Sequence, residues 1–453
     1  MTDLMPKGLT GKLINRVALL LIIGYFFNYL DRTAVSVAAL QMRADLDISA
    51  AAFGLGAGLF FIGYAVCELP SNILLHKVGA RVWMARIMTS WGVISVLTCL
   101  VQGEMSFYVM RILLGVAEAG AYPGILLIFT NWFPSKMRGK AIASLEILVL
   151  LSLAFGAVGL GAVLNLDQFL GLAGWRWIFI VAGIPAVVLG LLVLFLLPER
   201  PEKAKWLTPQ ERTWLVSTLA AEAQEKEKLG ASTLKSALSN ARVWYLCVLY
   251  FMMVVGFWGI TFWLPQIIQS KFEGISDFGA SALSALPWMM AIGALIFVST
   301  SSDRANERRW HAAVPLMIAA VALVISVFVS NPWIALLGIG VAAAGQRSAT
   351  PVFWNLPAGL VTGLGAAGAL ALINSVGNLG GFVGPYVLGY FSDLTGSSNG
   401  GLLIFAACFV VAAVMIVLYR DPVAKNSQIP VAAASATEST TPAHSDRNRS
   451  PQV

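Results

Sequence analysis

Long apolar runs alternate with short polar connections along most of this chain, each about the 20 residues that carry a helix across roughly 30 Å of hydrocarbon. Twelve membrane spans are predicted, at 17–40, 52–75, 82–101, 105–130, 138–163, 176–197, 242–268, 280–302, 311–330, 333–356, 361–392 and 400–420. A long polar segment, 198–241, divides them six and six. Within it Thr208 and Glu211 form a capping box with Pro209 in the first turn, so a short amphipathic surface helix is expected there. The residues from Asp421 onward are rich in Ala, Ser, Thr and Pro, the composition of a disordered tail. The expected layout is therefore a polar N-terminus (1–16), a six-helix bundle (17–197), a linker (198–241), a second six-helix bundle (242–420) and a tail (421–453). The N-terminus lacks a small-residue cleavage site, so the first apolar run is expected to be retained as a span.

Composition agrees with an all-α membrane protein. The chain is 58% hydrophobic and only 12% charged, where soluble domains carry about a quarter charged residues. Its net charge of +7 would suit a nucleic-acid partner if the charge were clustered on a soluble domain, but the pattern speaks for membrane topology. Apart from Arg32, Arg43, Arg111, Arg176, Lys271 and Arg347, every lysine and arginine falls on segments that share one side of the bilayer when both termini do. The positive-inside rule makes that side the cytoplasm, which gives a multi-pass protein of the cytoplasmic (inner) membrane with both ends inside. Cys67, Cys99, Cys247 and Cys408 lie in apolar runs without paired spacing and read as core residues.

Charges inside the spans need another explanation. The stretch Asn28-Tyr29-Leu30-Asp31-Arg32-Thr33 places an acid and a base side by side in the first span. A charge at the bilayer centre costs about 2.5–3.5 kcal/mol and marks a pathway, a relay or a paired partner. Arg111 and Glu118 stand seven residues apart on the fourth span, on one helical face with about 10 Å of rise between them. One reading is structural, with Asp31 paired to Arg111 to hold two helices together. The other is functional, with the arginines offering planar forks to a carboxylate and the acids taking protons. Arg347, near mid-depth in the tenth span, reads either as a second cationic clamp or as a cap on carbonyls loosened by Gly345, Pro351 and Pro357. Glu68 and Glu146 read as gate or interhelical contacts, with Arg138 a partner within reach of Glu146. Tyr29 and Tyr64 offer hydroxyls, and Trp258, Trp263 and Trp354 offer apolar walls or interfacial anchors. Asn374 and Asn378, four apart on one face, offer hydrogen bonds to a substrate or to a neighbouring helix. His76 and His311 sit at span ends, away from any relay.

The two halves echo each other. Lys77-Val78-Gly79-Ala80-Arg81 between the second and third spans has a basic counterpart in Asp303-Arg304-Ala305-Asn306-Glu307-Arg308-Arg309 six spans later, as in secondary transporters built from repeats. In Asn28-Tyr29-Leu30-Asp31-Arg32, Pro70-Ser71-Asn72 with Gly79-Ala80-Arg81, Arg111 to Gly120, Tyr122-Pro123-Gly124, Asn131-Trp132-Phe133-Pro134, Gly174-Trp175-Arg176-Trp177, Phe353-Trp354-Asn355-Leu356-Pro357 and Ile373 to Gly381, the chain resembles the major facilitator superfamily. Within it, the resemblance is to the anion:cation symporter family, notably its tartrate- and phthalate-type organic-acid permeases. The resemblance implies two pseudo-symmetric six-helix bundles, with helices one, four, seven and ten around a central cavity. It implies that Arg32 and Arg111 bind a carboxylate substrate and that Asp31 and Glu118 couple a proton. Glu68, Arg81, Asp303 and Arg304 fall at gating positions. The chain departs from the superfamily's first-loop pattern at Asn72 and His76, where Gly and Asp are usual, and at Arg347.

No phosphate-cradling loop is present for ATP, and no His or Cys cluster has metal spacing. The expected function is non-enzymatic, and the resemblance implies proton-coupled uptake of a small organic carboxylate such as tartrate, phthalate, hydroxyphenylacetate or a sugar acid, by a monomer without cofactor. An organic-anion exchanger or a sodium-coupled carrier is the alternative.

Overall fold

The computed structural model describes residues 5–228, 239–356 and 364–419. The expected disordered tail, residues 229–238 of the linker, Pro357 and the first residues of the eleventh span lie outside the described residues. The helices run α1 (Leu19–Asp45), α2 (Ala50–Val78), α3 (Ala80–Leu97), α4 (Glu104–Glu118, resuming as Ala121–Trp132), α5 (Ser135–Val163) and α6 (Gly174–Leu196). After the linker follow α7 (Ala241–Lys271), α8 (Asp277–Leu283, resuming as Ala285–Ala305), α9 (Arg309–Phe328), α10 (Pro332–Phe353), α11 (Leu364–Asn378, resuming as Gly380–Thr395) and α12 (Asn399–Leu418). Among the described residues, ten of these are long and apolar enough to cross a membrane on length and composition alone. The two that are not, α10 and α11, carry Gln346-Arg347-Ser348 and Asn374-Ser375 respectively. Large apolar side chains such as Phe155, Phe195, Phe297 and Phe328 are exposed on the outer wall, a surface suited to lipid rather than water.

The duplication is visible in the packing. In the first half α2 packs on α4, α3 on α6, and α1 on α5 and α6; in the second half α8 packs on α10, α9 on α12, and α7 on α11 and α12. Every pairing recurs six helices later. The halves meet along α2 with α11, α5 with α8, and α1 with α7.

Local chemistry fixes the break in α4. Gly120 has φ +90°, which a residue with a side chain adopts only under strain, and a Cβ there would lie 2.4 Å from Ser71 Oγ. The Ser71 hydroxyl donates to the Ala119 carbonyl (2.5 Å) and accepts from Trp83 Nε1 (3.0 Å). The Pro70-Ser71-Asn72 motif thus seats the break, and Glu118 becomes the last residue of the first α4 segment.

The linker helix spans Pro209–Lys228, 20 residues, longer than the short element expected. Its capping box is formed as the sequence implies: Glu211 N–H donates to Thr208 Oγ1 (3.2 Å) and Thr208 N–H donates to the Glu211 carboxylate (2.9 Å). Lys12 also donates to that carboxylate at 2.8 and 3.0 Å, and Arg138 donates to Glu222 at 3.2 Å. These contacts seat the linker helix on the first half.

The face away from the linker is closed. Ser36 Oγ donates to the Thr261 and Phe262 carbonyls, and Gln266 donates to the Ser36 carbonyl. Asp393 accepts from the Ala50 and Ala51 backbone N–H groups at the start of α2, and Ser281 donates to the Ala157 carbonyl. Along α2 and α11 the backbones touch: a Cβ at Gly54 would lie 2.3 Å from the Pro385 carbonyl, and one at Gly58 2.7 Å from that of Phe382.

Candidate functional site

A cavity of about 120 Å³ lies between the halves at mid-depth. From the first half it is lined by Tyr25, Asn28, Tyr29 and Arg32 of α1, Phe60, Phe61 and Tyr64 of α2, Ala121 and Tyr122 of α4, and Glu146 of α5. From the second half come Tyr250, Val254, Phe257 and Trp258 of α7, Gln346, Arg347 and Thr350 of α10, Trp354 just beyond it, and Asn374 and Asn378 of α11. Its volume corresponds to about four water molecules at roughly 30 Å³ each, room for a small acid.

Arg32 dominates the first-half wall. Its Nε and Nη2 donate to Glu118 Oε2 at 3.2 and 3.0 Å, while its guanidinium lies 4.9 Å from the ring centres of Tyr29 and Phe60, 5.4 Å from Trp258 and 5.8 Å from Tyr64. The rings surround a planar cation whose side chain also lines the cavity. Glu118 is fully buried behind Arg32 and does not line the cavity; its Oε1 has no hydrogen-bond partner. Removing one member of such a buried pair costs about 3–5 kcal/mol, because the other charge is stranded.

Asp31 faces the other way. It accepts a hydrogen bond from Ser95 of α3, and its second oxygen is buried without a partner. Arg111 donates to the Ala57 carbonyl at 3.5 Å and lies over Phe60 and Phe262 at 5.1 and 5.8 Å. Asp31 and Arg111 form no ion pair, so the structural pairing of these two is not what joins α1 to α4; the Arg32–Glu118 pair does that. Arg111 is also absent from the cavity wall, whereas Arg32, Arg347, Tyr29, Tyr64, Asn374, Asn378 and Trp354 all line it.

On the opposite wall Arg347 Nη2 donates to Glu146 Oε2 at 2.7 Å, and its guanidinium lies 4.9 Å from the Phe257 ring. The helix runs unbroken past Arg347 to Phe353, so Arg347 does not cap a break. Glu146 is a cavity residue whose place the sequence did not reveal. Its neighbour Arg138 is engaged with Glu222 and the Phe133 carbonyl, and its partner sits 201 positions away in the other half. Depth in the span was the one available signal. Two further lining residues, Asn28 and Gln346, were likewise not singled out for the site. Asn28 lies beside Glu118 at the cavity wall, and the Gln346 Oε1 is buried there without a protein partner.

Glu68 accepts from Asn374 Nδ2 (3.4 Å) and Ser375 Oγ (3.1 Å), a contact between the halves on the linker side of the cavity. Trp263 lies outside the cavity, donating to the Pro385 carbonyl and packing on Phe53 in the far-face closure. At the linker face Asp303 pairs with Arg308 at 2.5 Å rather than with adjacent Arg304, and Arg81 opens α3 near linker residue Glu199. His311 pairs with Glu307 at 2.7 Å, away from the cavity. Among the described residues no group of His, Cys, Asp and Glu is placed to hold a metal ion, and all four cysteines are free thiols.

A family model, Major Facilitator Superfamily, matches residues 21–368. A protein of Agrobacterium vitis named "Putative tartrate transporter" is 42% identical, the match covering 90% of this chain and 94% of that one. A "Quinolone resistance transporter" of Acinetobacter baumannii is 40% identical over 87% of this chain and 90% of its own length. The crystal structure of a D-xylose-proton symporter superposes with a TM-score of 0.71 at 15% identity, covering 89% of this chain and 97% of that one.

Proposed function

The chain belongs to the Major Facilitator Superfamily, and on that premise we propose that it is a proton-coupled symporter for a small organic carboxylate. It is a multi-pass membrane transporter and not an enzyme. The observation that carries the proposal is the position of Arg32, which lines the cavity on one edge and holds buried Glu118 on the other. An anion entering the cavity competes with Glu118 for that guanidinium. Once Arg32 turns to the cargo, Glu118 is a buried carboxylate stripped of its counter-charge, and a proton restores neutrality. Cargo and proton binding then favour each other, and the linkage is reciprocal. Asp31, next to Arg32 on α1 and held by Ser95 of α3, is the second candidate for a coupled proton.

The relative named for tartrate supports a carboxylate cargo, and so does the cavity, with Arg32 and Arg347 on opposite walls. Arg111 serves the site from behind, by holding α4 against α2 through the Ala57 carbonyl. The linker face carries the basic connections and is assigned to the cytoplasm of a bacterial inner membrane, with both termini inside. Arg43 and Lys271 line a hollow on the opposite face, where they raise the local concentration of anions before uptake. The two halves rock about the cavity as a monomer, with Glu68, Arg81, Asp303 and Arg304 at the linker-side gate.

The test is uptake into sealed proteoliposomes with tartrate as the probe. An acid-outside gradient is expected to drive accumulation, and Glu118→Gln to abolish that response while tartrate exchange across the membrane continues. Accumulation indifferent to the imposed gradient would remove proton coupling.

A further inference from the structure

We infer that Glu146 is a built-in stand-in for one end of the cargo, and that Arg347, the guanidinium it occupies, makes the site selective for dianions. This rests on the reading of the cavity as an anion site. The two arginines on its walls are paired differently. Arg32 is held by Glu118, which is fully buried behind the wall, whereas Glu146 projects into the cavity itself with a third of its side chain exposed. Arg347 spends one nitrogen on Glu146, and its Nε is buried without a partner. Glu146 thus occupies the seat, and supplies the charge, of a ligand carboxylate.

A second carboxylate from the cargo replaces Glu146 one for one at Arg347, so the charge around the guanidinium is unchanged. The displaced Glu146 turns towards the open part of the cavity, where it remains hydrated. A monoanion spends its only carboxylate on Arg32 and leaves the Arg347–Glu146 pair intact. Because that pair joins α5 to α10, displacement also releases a contact between the halves, and only a cargo with two acidic ends does so. Asn28, one turn before Arg32 on α1, and Gln346, which precedes Arg347 on α10 and whose Oε1 has no partner, both line the cavity and suit hydroxyl groups on the carbon chain linking those ends.

The experiment uses the full-length purified protein and a matched pair of probes, tartrate with two carboxylates and glycerate with one, measured by isothermal titration. In Glu146→Gln, and in Glu146→Ala as the variant that cannot bond Arg347, tartrate affinity is expected to rise about tenfold and glycerate affinity to change by less than about twofold. Arg347→Gln is expected to lose the preference for tartrate, and adding either Glu146 substitution to it is expected to change nothing further. Unfolding temperatures check that each variant is folded, and the pair of Glu146 variants guards against loss of either one. Equal weakening of both probes, or no change in either, overturns the assignment while leaving the anion site standing. A wild-type protein that binds neither probe, nor phthalate and benzoate as a second matched pair, overturns the anion site and this inference with it.

Discussion

Asp31 and Arg32 are neighbours in sequence but do different things. One helical step separates their side chains by about 100°, so Arg32 meets the cavity and Glu118 while Asp31 meets Ser95 of α3. Sequence alone marked both as costly charges, and it marked Arg111 and Glu118 as sharing a face. It could not show that Glu118 is already committed to Arg32, because that choice depends on how α1 and α4 cross. The same limit hid Glu146, whose partner is supplied by the other half. Asp31→Asn separates a proton site from a packing role. With Asp31 titrating during transport, the variant is expected to keep its unfolding temperature within about 1 °C, which for a chain of 453 residues corresponds to roughly 1 kcal/mol. It is also expected to lose accumulation driven by a pH gradient while retaining tartrate exchange. A large fall in unfolding temperature, with exchange lost as well, assigns Asp31 to packing through Ser95.

Among the elements, those with local signatures were the legible ones. The capping box at Thr208 and Glu211 is written in four residues and forms as expected, and the apolar windows located the spans. What the windows hid were interruptions: Gly120 breaks α4, and Leu379 separates the segments of α11. The capping acid also carries a pH dependence. Lys12, followed by the Thr208 backbone N–H, holds the Glu211 carboxyl below the usual glutamate range. A carboxyl depressed in the folded state stabilises docking at pH values above its unfolded value of about 4.3, and that contribution disappears as pH falls through the depressed value. Glu211→Gln is therefore expected to lower the protection of the short helix Leu9–Leu13, which carries Lys12, and of the linker helix against hydrogen exchange at pH 7. The difference from wild type is expected to shrink as pH falls below about 4.3. A difference that persists unchanged at pH 3 would mean that the glutamate acts by shape and not by charge. Thr208→Ala, which removes the other half of the box, is expected to cost about 1 kcal/mol at either pH.

For the molecule as a whole, the duplicated architecture was readable from the count of spans and the recurring basic loops. The line along which the halves meet was not, because α2 against α11 and α5 against α8 are contacts between distant segments with no shared periodicity. The far-face closure along that line is made largely by backbone atoms, at Gly54, Gly58 and the Ser36 contacts with α7. A leucine at Gly58 cannot fit with the Phe382 carbonyl 2.7 Å from its Cβ. Gly58→Leu is expected to hold the far face apart, so that paired spin labels at the ends of α2 and α11 report longer distances. Uptake is expected to fall at least about tenfold while tartrate still binds, since a carrier confined to one state binds but does not cycle. Wild-type distances and uptake would show that α2 and α11 accommodate the added bulk.

One consequence of the cavity's construction is optical. Trp258 is buried between the halves, its ring centre 6.1 Å from that of Tyr29 in a stacked arrangement and 5.4 Å from the Arg32 guanidinium. Any movement of Arg32 towards a cargo, or of α7 away from α1, changes the dipole and the ring that this indole's excited state senses. The difference between the emission spectra of the protein and of Trp258→Phe then isolates a single native fluorophore at the transport site, and occupancy is followed in real time without a label.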